Sequence, residues 1–340
     1  MDRDNREEYG FIEFYFSKVA NGRPFADGEE QLTAWQRFAD MLCMIALVQK
    51  EKSFPSGLSK IGCLLNDEEL MKVLEPHEKT AFPERDRVRE IFNSLIQRGN
   101  RNTEDERVLP LWQFFNIGRL SELEILAFLL ALCVDLNRKY ERIFGILQED
   151  RENVAKPTAG LVHDLGALFL TPEENQIGIL LNRDSFLNRY LLEDTRENQA
   201  MSRLSRPLSL RREILEIVLE RPMSYGMLAA CGEFLETPQE LPDTFCQEKA
   251  FEELVNIYAA MSASEASGGV IQLVGENGSG RRFLVQTLGT VSAADLISIL
   301  TGELMELPWD QALEALKLAV SGSVFEHSLI YLEGTDVRPD

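Results

Sequence analysis

Apolar residues recur at helical spacing through most of the first 220 residues. In the first hundred residues this spacing predicts helices at 7–20, Glu29–Lys50, Asp67–Leu74 and Pro83–Arg98. Trp35 and Phe38 lie on the apolar face of the second of these helices. The Gly- and Asn-containing run at 99–103 predicts a surface loop and a domain boundary. This part of the chain predicts a helical docking or scaffold region, and nothing in it indicates catalysis.

A second group of helices begins at Ser121, which forms a capping box with Glu124. The helix that follows is apolar on nearly all sides, so we expect it to be buried. Further helices are predicted at Asn137–Gln148, Pro157–Phe169 and Thr171–Leu181, and short strands at Arg189–Glu193 and Pro207–Leu210. Helices followed by a two-stranded ribbon are typical of a winged helix.

A glycine-rich loop follows a predicted strand at Val270–Val274 and precedes a predicted helix that begins at Arg281. Gly275 and Gly280 have P-loop spacing, with Gly278 between them. In such a loop, backbone N–H groups and the helix N-terminus surround phosphate groups. The predicted nucleotide-binding residues are Gly275, Asn277, Gly278, Ser279, Gly280, Arg281, Arg282 and Glu333.

Two departures from the P-loop pattern argue against hydrolysis. Arg281 stands where a lysine is usual, and Arg282 stands where a Ser or Thr hydroxyl binds magnesium. The predicted strand 327–333 ends in Glu333 and is followed by Gly334, where an Asp and a catalytic Glu are expected. ATP is therefore the predicted cofactor, magnesium is disfavoured, and we assign no catalytic residue. Glu333 is either a surface carboxylate or a weak metal contact. Alternatively, the chain is an active ATPase whose site uses Arg281 and Glu333.

Composition narrows the choice of partners. The 340 residues carry a net charge of −21, which disfavours nucleic acid because DNA binding depends on Lys and Arg contacts with phosphate. A basic cluster consists of Arg203, Arg206, Arg211 and Arg212. These arginines either contact phosphate groups or lie on a solvated ribbon. A DNA-binding regulator with a vestigial P-loop is thus the rival function.

Other features predict a cytoplasmic protein without a metal site. The charged N-terminus lacks the apolar core of a signal peptide, and no apolar run has the length of a membrane span. The five cysteines form no C-x-x-C pair, and none of the three histidines lies near a cysteine pair.

One segment resembles a known family. The residues that carry the resemblance are Asp135–Asp150, Lys156–Thr158 and Leu161–Leu165. They resemble the winged-helix region that precedes the ATPase module in a bacterial AAA-type ATPase family, some members of which are encoded with contractile injection systems. The resemblance extends over Leu120–Leu219 and the P-loop-like segment, whereas residues 1–100 show none.

The resemblance implies that the chain is the N-terminal portion of an AAA-type ATPase that docks partners and assists assembly. Its partners would be other proteins or its own downstream ATPase module, with a homo-oligomer as the full-length form and no membrane contact. Only six residues follow Gly334. We therefore expect the sheet to be completed by a continuation of the chain or by a partner.

The predicted fold is mostly α with an α/β C-terminal part. The predicted domains are a helical region (1–100), a winged-helix-like domain (101–235), a linker with a lead-in helix (236–269) and a partial, degenerate P-loop module with a parallel sheet (270–340).

Overall fold

The computed structural model describes residues 10–19, 22–53, 84–105, 109–148, 156–193, 202–221, 226, 228–238, 248–262, 269–276, 278–325 and 328–334. The predicted helix Asp67–Leu74 and the loop residue Asn277 lie outside this part of the chain. By packing, the chain separates into two compact units, Met1–Pro222 and Met223–Asp340. The four-part division into domains stays a prediction.

The described part of the first unit is helical. Its α-helices are α1 (Phe11–Val19), α2 (Gly28–Ser53), α3 (Arg85–Glu104), α4 (Pro110–Ile117), α5 (Glu122–Leu136), α6 (Lys139–Leu147), α7 (Ala159–Gly166), α8 (Ile177–Leu181) and α9 (Arg212–Val218). The helix predicted at Glu29–Lys50 is confirmed as α2.

Helix α5 is the central element of this unit, as its sequence predicts. The Ser121 hydroxyl accepts a hydrogen bond from the Glu124 amide, and Glu124 Oε2 accepts one from the Ser121 amide at 3.0 Å. This capping box fixes where the helix begins. Eleven of its fifteen residues are buried. Because each fully buried Leu or Phe contributes about 1.5–3 kcal/mol, α5 supplies much of the unit's hydrophobic stabilisation.

Aromatic side chains join α2 to α3, to α4 and to the turn after α7. The Trp35 ring meets the Phe92 and Phe115 rings edge-on, with centroids 5.7 and 5.4 Å away. Phe38 meets Phe169 edge-on at 5.4 Å. These edge-to-face pairs favour one arrangement of the helices, because ring quadrupoles prefer that geometry.

The surface loop predicted at 99–103 is wrong, because α3 continues to Glu104. The Gly99 backbone lies against the Trp112 ring, so that any Cβ would collide with the indole. Asn102 is buried and forms two 2.9 Å hydrogen bonds with Phe25: its Oδ1 accepts from the Phe25 amide, and its Nδ2 donates to the Phe25 carbonyl. Gly and Asn usually indicate a loop, but here Gly99 allows close packing against Trp112 and Asn102 anchors the backbone of Phe25.

A buried arginine ties the chain before α2 to helix α3. Arg98 is only 1% exposed, and it donates to the carbonyls of Val19 at 3.0 Å and Arg23 at 2.9 Å. It also forms an ion pair with Glu30 at 2.6 Å, and its guanidinium stacks over the Phe25 ring. Since both its charge and its donors are satisfied, the buried guanidinium is compatible with the apolar core.

The ribbon after α8 consists of single antiparallel bridges, Thr158↔Pro207 and Leu192↔Leu210. The strand predicted at Arg189–Glu193 is largely wrong, since Leu187–Leu191 forms a π-helical turn. The helix predicted at Pro157–Phe169 is shortened to α7.

The helix predicted at Thr171–Leu181 begins later than its capping signal. Thr171 and Glu174 do exchange the expected hydrogen bonds, at 2.8 and 3.3 Å. The buried Asn175 then donates from its side chain to the His163 carbonyl at 2.9 Å, which ties the turn to α7. Regular helix resumes only at Ile177, in α8.

The second unit contains helices and a small mixed sheet in its described part. Its elements are β1 (Gly232–Leu235), α10 (Glu248–Ser262), α11 (Arg281–Ser292), β2 (Asp295–Leu300), α12 (Thr301–Glu306), α13 (Trp309–Phe325) and β3 (Ser328–Glu333). The sheet order is β1-β2-β3. Strands β2 and β3 are parallel, from Asp295↔Ser328 to Leu300↔Glu333. The sheet is nevertheless mixed, because β1 pairs antiparallel with β2.

The strand predicted at Val270–Val274 is not part of this sheet, so the expected P-loop parallel module is not shown. Residues 269–276 form neither helix nor strand, and Ile271 and Leu273 pack on a core of Leu254, Leu284 and Leu288. Val270 is 95% exposed and Val274 86%. Among the described residues, no backbone group of 270–275 takes part in a hydrogen bond. The segment thus has the side-chain alternation of a strand without a neighbouring strand.

Candidate functional site

The glycine-rich loop has a backbone that only glycine adopts easily. Gly278 and Gly280 have φ values of 81° and 82°, in the left-handed region. A Cβ on Gly275 would lie 2.6 Å from the Ser279 hydroxyl, and the Ser279 amide donates to the Glu276 carbonyl at 3.0 Å. The loop is therefore a tight turn that leads into α11 at Arg281, as the sequence predicts.

Arg282 forms the centre of a charged cluster beside this loop. Its guanidinium is bonded to the Glu233 carboxylate and lies 3.5 Å from Glu333 Oε2. The Ser298 hydroxyl donates to the same Glu333 oxygen at 3.4 Å. The Thr301 hydroxyl donates to the Glu333 backbone carbonyl at 2.8 Å. One arginine thus joins the start of α11 to the carboxylates of two strands.

The structure brings together some of the predicted site residues. Arg282 and Glu333 are in contact, and Arg281 is close enough to β3 to affect Tyr331. Burial and the Glu333 carboxylate raise the pKa of Tyr331, while the positive charges of Arg281 and Arg282 oppose the rise. The remaining described members, Gly275, Gly278, Ser279 and Gly280, form the adjoining turn.

Sequence reasoning missed Glu233, Ser298 and Thr301. The antiparallel register pairs Glu233 with Ser298, and the parallel register places the end of β3 opposite Leu300. Both pairings join residues far apart in the chain. The hydrophobic periodicity of a single segment therefore cannot predict this cluster.

The cluster does not fit a magnesium ion. Magnesium requires oxygen ligands, but position 282 supplies a guanidinium, which has no acceptor atom. Glu333, the one predicted metal contact, already faces that guanidinium. Within the described ranges, no group of three His, Cys, Asp or Glu side chains is arranged to hold a metal ion.

The winged-helix surface in the first unit offers few groups for reading DNA. Helix α7 belongs to the predicted helix Pro157–Phe169, the one that would enter the major groove if the domain read DNA, and it buries most of its side chains. The Leu204 carbonyl lies 3.3 Å from where a Cβ on Gly160 would be. His163 and Asp164 are the polar side chains on this helix, and Asp164 is acidic. Base readout usually requires Arg, Lys, Asn or Gln at such positions.

The predicted basic cluster is not a continuous positive surface. Arg211 is buried and lies 3.9 Å from Glu213. Arg212 pairs with Glu216 at 3.1 Å. Arg206 is half-buried and Arg203 exposed. The four arginines therefore do not form one phosphate-binding patch.

The segment around α8 is also short of positive charge. Between Thr171 and Glu193 the chain carries four carboxylates and two arginines. One of these arginines, Arg189, pairs with Asp184 at 2.9 Å. Long-range attraction to a phosphate backbone is consequently weak here.

Comparison with known proteins gives a result for the first unit. A family model described as winged helix domain, variant, matches residues 17–229, which is more than half of the chain. No curated protein and no solved structure matches the sequence. In the described part of the chain, no helix is both long and apolar enough to cross a bilayer. The mostly helical architecture and the bridged ribbon agree with the match, and the chain belongs to the variant winged helix domain family.

Proposed function

We propose that this chain is a docking and assembly part of an AAA-type ATPase in which the glycine-rich loop does not support hydrolysis. The observation that carries this proposal is the position of Arg282 between Glu233 and Glu333. A side-chain cation stands at the sequence position where a P-loop has the Ser or Thr hydroxyl that binds magnesium, and it lies beside the Glu333 carboxylate.

The chemistry of phosphoryl transfer explains why this substitution matters. Hydrolysis of a nucleoside triphosphate requires a metal ion that bridges the phosphates and neutralises developing charge. A guanidinium repels a nearby divalent cation and offers it no lone pair. Gly334 also supplies no carboxylate to activate water. The turn from Gly275 to Gly280 retains backbone N–H groups, so weak, metal-independent binding of ATP phosphates is the most that we assign to it.

The docking role is supported by the charge and surface of the winged helix. The chain is strongly acidic, and two of the four arginines near the ribbon, Arg211 and Arg212, lie beside or pair with carboxylates. Such a surface suits protein partners, or the ATPase module of the same protein, better than nucleic acid. We place the chain in the cytoplasm, where the buried thiols of Cys43, Cys133 and Cys231 stay reduced.

The nucleotide part is tested with the full chain by ATP hydrolysis assays and by calorimetric titration with ATP, each with and without magnesium. We expect no hydrolysis and an ATP affinity that magnesium does not increase. Turnover at about 1 per second or faster, a rate within the usual enzyme range, would overturn the proposal. Arg281→Ala serves as a control, because loss of magnesium-dependent binding in that variant would favour an active site based on Arg281 and Glu333.

The docking part is tested by duplex DNA binding at low salt. We expect no salt-dependent binding by the wild-type chain. Binding that weakens in a variant with Arg203, Arg206, Arg211 and Arg212 changed to Gln would instead support a DNA-binding regulator.

A further inference from the structure

Segment 270–274 in the second unit has the side-chain pattern of a strand, but its backbone is unpaired. Ile271 and Leu273 pack on the core, whereas Val270 and Val274 are largely exposed. Among the described residues, no backbone group of 270–275 takes part in a hydrogen bond. The N–H and C=O groups of this segment are therefore available to a neighbouring strand.

Strand β3 has an unpaired edge in the same unit. The sheet order is β1-β2-β3, so β3 pairs with β2 on one side only. Within the described ranges, the other side of β3 forms no main-chain hydrogen bond. Such an edge is a template for a further strand. The unit thus contains both an unpaired edge and an unpaired segment with the pattern of a strand.

Shared packing places this segment near β3. Leu273 packs on two clusters of buried side chains, and Leu329 of β3 packs on the same two. The first cluster consists of Leu235, Val285 and Leu296, and the second consists of Leu254, Leu284 and Leu288. Tyr331 also packs on the first cluster, and Ile271 on the second. Each of the two stretches therefore directs alternate side chains toward a common core.

The glycine-rich turn shows the direction in which the segment runs. The segment leads into Gly275, and the turn ends at α11, where Arg282 lies 3.5 Å from Glu333 Oε2. Glu333 is the last residue of β3. The carboxyl ends of the segment and of β3 are therefore at the same end of the sheet. The two stretches run parallel, as β2 and β3 do.

We infer that segment 270–274 is a fourth strand held out of the sheet, and that it pairs in parallel with β3 when phosphate groups occupy the glycine-rich turn. The register follows from the core-facing side chains. It places Ile271 beside Leu329 and Leu273 beside Tyr331, so that all four lie on the face covered by α11.

This register also buries apolar surface on the opposite face. It places Val274 beside Leu332, which is itself 46% exposed. Neighbouring apolar side chains on one face of a sheet stabilise strand pairing. A single movement of the segment would therefore satisfy two unpaired edges and cover two exposed side chains.

Occupation of the turn favours pairing because both events order the same residues. Phosphate groups at the N-terminus of α11 would fix the backbone that follows Gly275. The segment then loses less conformational entropy when it joins the sheet. By linkage, pairing strengthens phosphate binding to the same extent. This ligand dependence rests on the proposed binding of ATP phosphates, whereas the pairing geometry does not.

A disulfide trap tests the register without any ligand. In the paired form, positions 274 and 332 are on neighbouring strands about 4.8 Å apart, which is within the range of a disulfide. We expect Val274→Cys with Leu332→Cys, made in the full chain, to form this bond in oxidised glutathione, as located by peptide mapping. Val270→Cys with Leu332→Cys is the matched control, because position 270 lies about 13 Å further along the strand.

The control pair should give about 10-fold less disulfide than the test pair, because only the test pair is in register. Similar yields from the two pairs would overturn the inference. A bond between two chains, seen as a disulfide-linked dimer, would assign the edge of β3 to a second copy and would overturn it as well.

Hydrogen exchange followed by mass spectrometry tests the ligand dependence. The probe is ATP without magnesium, at a concentration that calorimetry shows to be saturating. We expect exchange of the amides of 270–275 to slow by about 10-fold, while that of α5 in the first unit stays unchanged. Unchanged exchange at saturation would refute the coupling and leave the proposed ATP binding intact. Absence of ATP binding would refute both the proposed nucleotide role and the ligand dependence, and the disulfide comparison would still decide whether the segment pairs with β3.

Discussion

The two compact units differ in where their large apolar side chains lie. In the first unit Trp35, Phe38 and Phe92 are fully buried and packed ring against ring, and the buried Phe128 packs on Phe115. In the second unit, Val270, Val274 and Trp309 are largely exposed. The first unit therefore buries these large side chains in its own core, whereas the second retains exposed apolar surface that is suited to association.

Two arginine–glutamate pairs also differ in burial between the two units. Arg98 in the first unit is 1% exposed, and it contacts backbone carbonyls as well as Glu30. Arg282 in the second unit is exposed at the surface, as is Glu233. A buried pair is costly to break, whereas an exposed pair contributes little to folding. Substitutions at these two arginines therefore measure the contrast directly.

Arg98→Met should have the largest effect. It leaves Glu30 without its buried partner and the Val19 and Arg23 carbonyls without donors. We expect the free energy of unfolding of the first unit to fall by about 3–5 kcal/mol. Urea titration followed by circular dichroism measures the loss. Arg23→Met removes the other, largely exposed partner of Glu30 and should cost at most about 1 kcal/mol. Equal losses would contradict the assignment of Arg98 as the buried anchor.

Ser121→Ala removes the cap of the buried helix α5. We expect a loss of about 0.5–2 kcal/mol in the unfolding free energy, because the Glu124 amide loses its acceptor. The same urea titration applies. Ser17→Ala, at an exposed serine in α1, should change stability by about 0.5 kcal/mol or less. A capping role would be ruled out by identical values for the two variants.

Acid should weaken the first unit through Glu30. Burial opposes ionisation of this carboxyl, but hydrogen bonds from the Ala26 amide and Arg98 outweigh burial and lower its pKa. The ionised form therefore adds stability above the unfolded-state pKa of about 4.3, and this is lost as pH falls through the lower folded-state pKa. Unfolding free energies measured from neutral pH downward should decrease more steeply for wild type than for Glu30→Gln. Parallel curves would show that Glu30 does not contribute.

Arg282→Met should have the smallest effect, at most about 1 kcal/mol, because its carboxylate partners remain solvated when it is removed. Hydrogen exchange at the amides of α11 measures the change in the second unit, and added salt should reduce the difference from wild type further. A loss as large as that of Arg98→Met would mean that Arg282 is a structural anchor.

The sequence predicts those elements whose stability depends on local signals. The capping box at Ser121 and the apolar residues that follow determine α5 almost completely. By contrast, 99–103 contains Gly and Asn, which favour loops. The contacts of Gly99 with Trp112 and of Asn102 with Phe25 override that preference, and they depend on residues distant in the chain.

In the candidate site, too, local sequence signals predict only part of the structure. Glycine spacing predicts the turn at Gly275–Gly280 and the start of α11, because φ values near +80° select glycine. Strand formation at Val270–Val274 was predicted from apolar character, but a strand also needs a neighbour with which to pair. The contact of Arg282 with Glu233 follows from an antiparallel pairing that no local pattern reveals.

The segment 269–276 is also chemically accessible. Within the described residues the amides of 270–275 are not hydrogen-bonded, and Val270 and Val274 are largely exposed. Amide hydrogens in such a segment exchange with solvent without prior unfolding, whereas those of α5 require opening of a buried helix. We therefore expect limited proteolysis to cut first between α10 and α11, leaving the first unit intact.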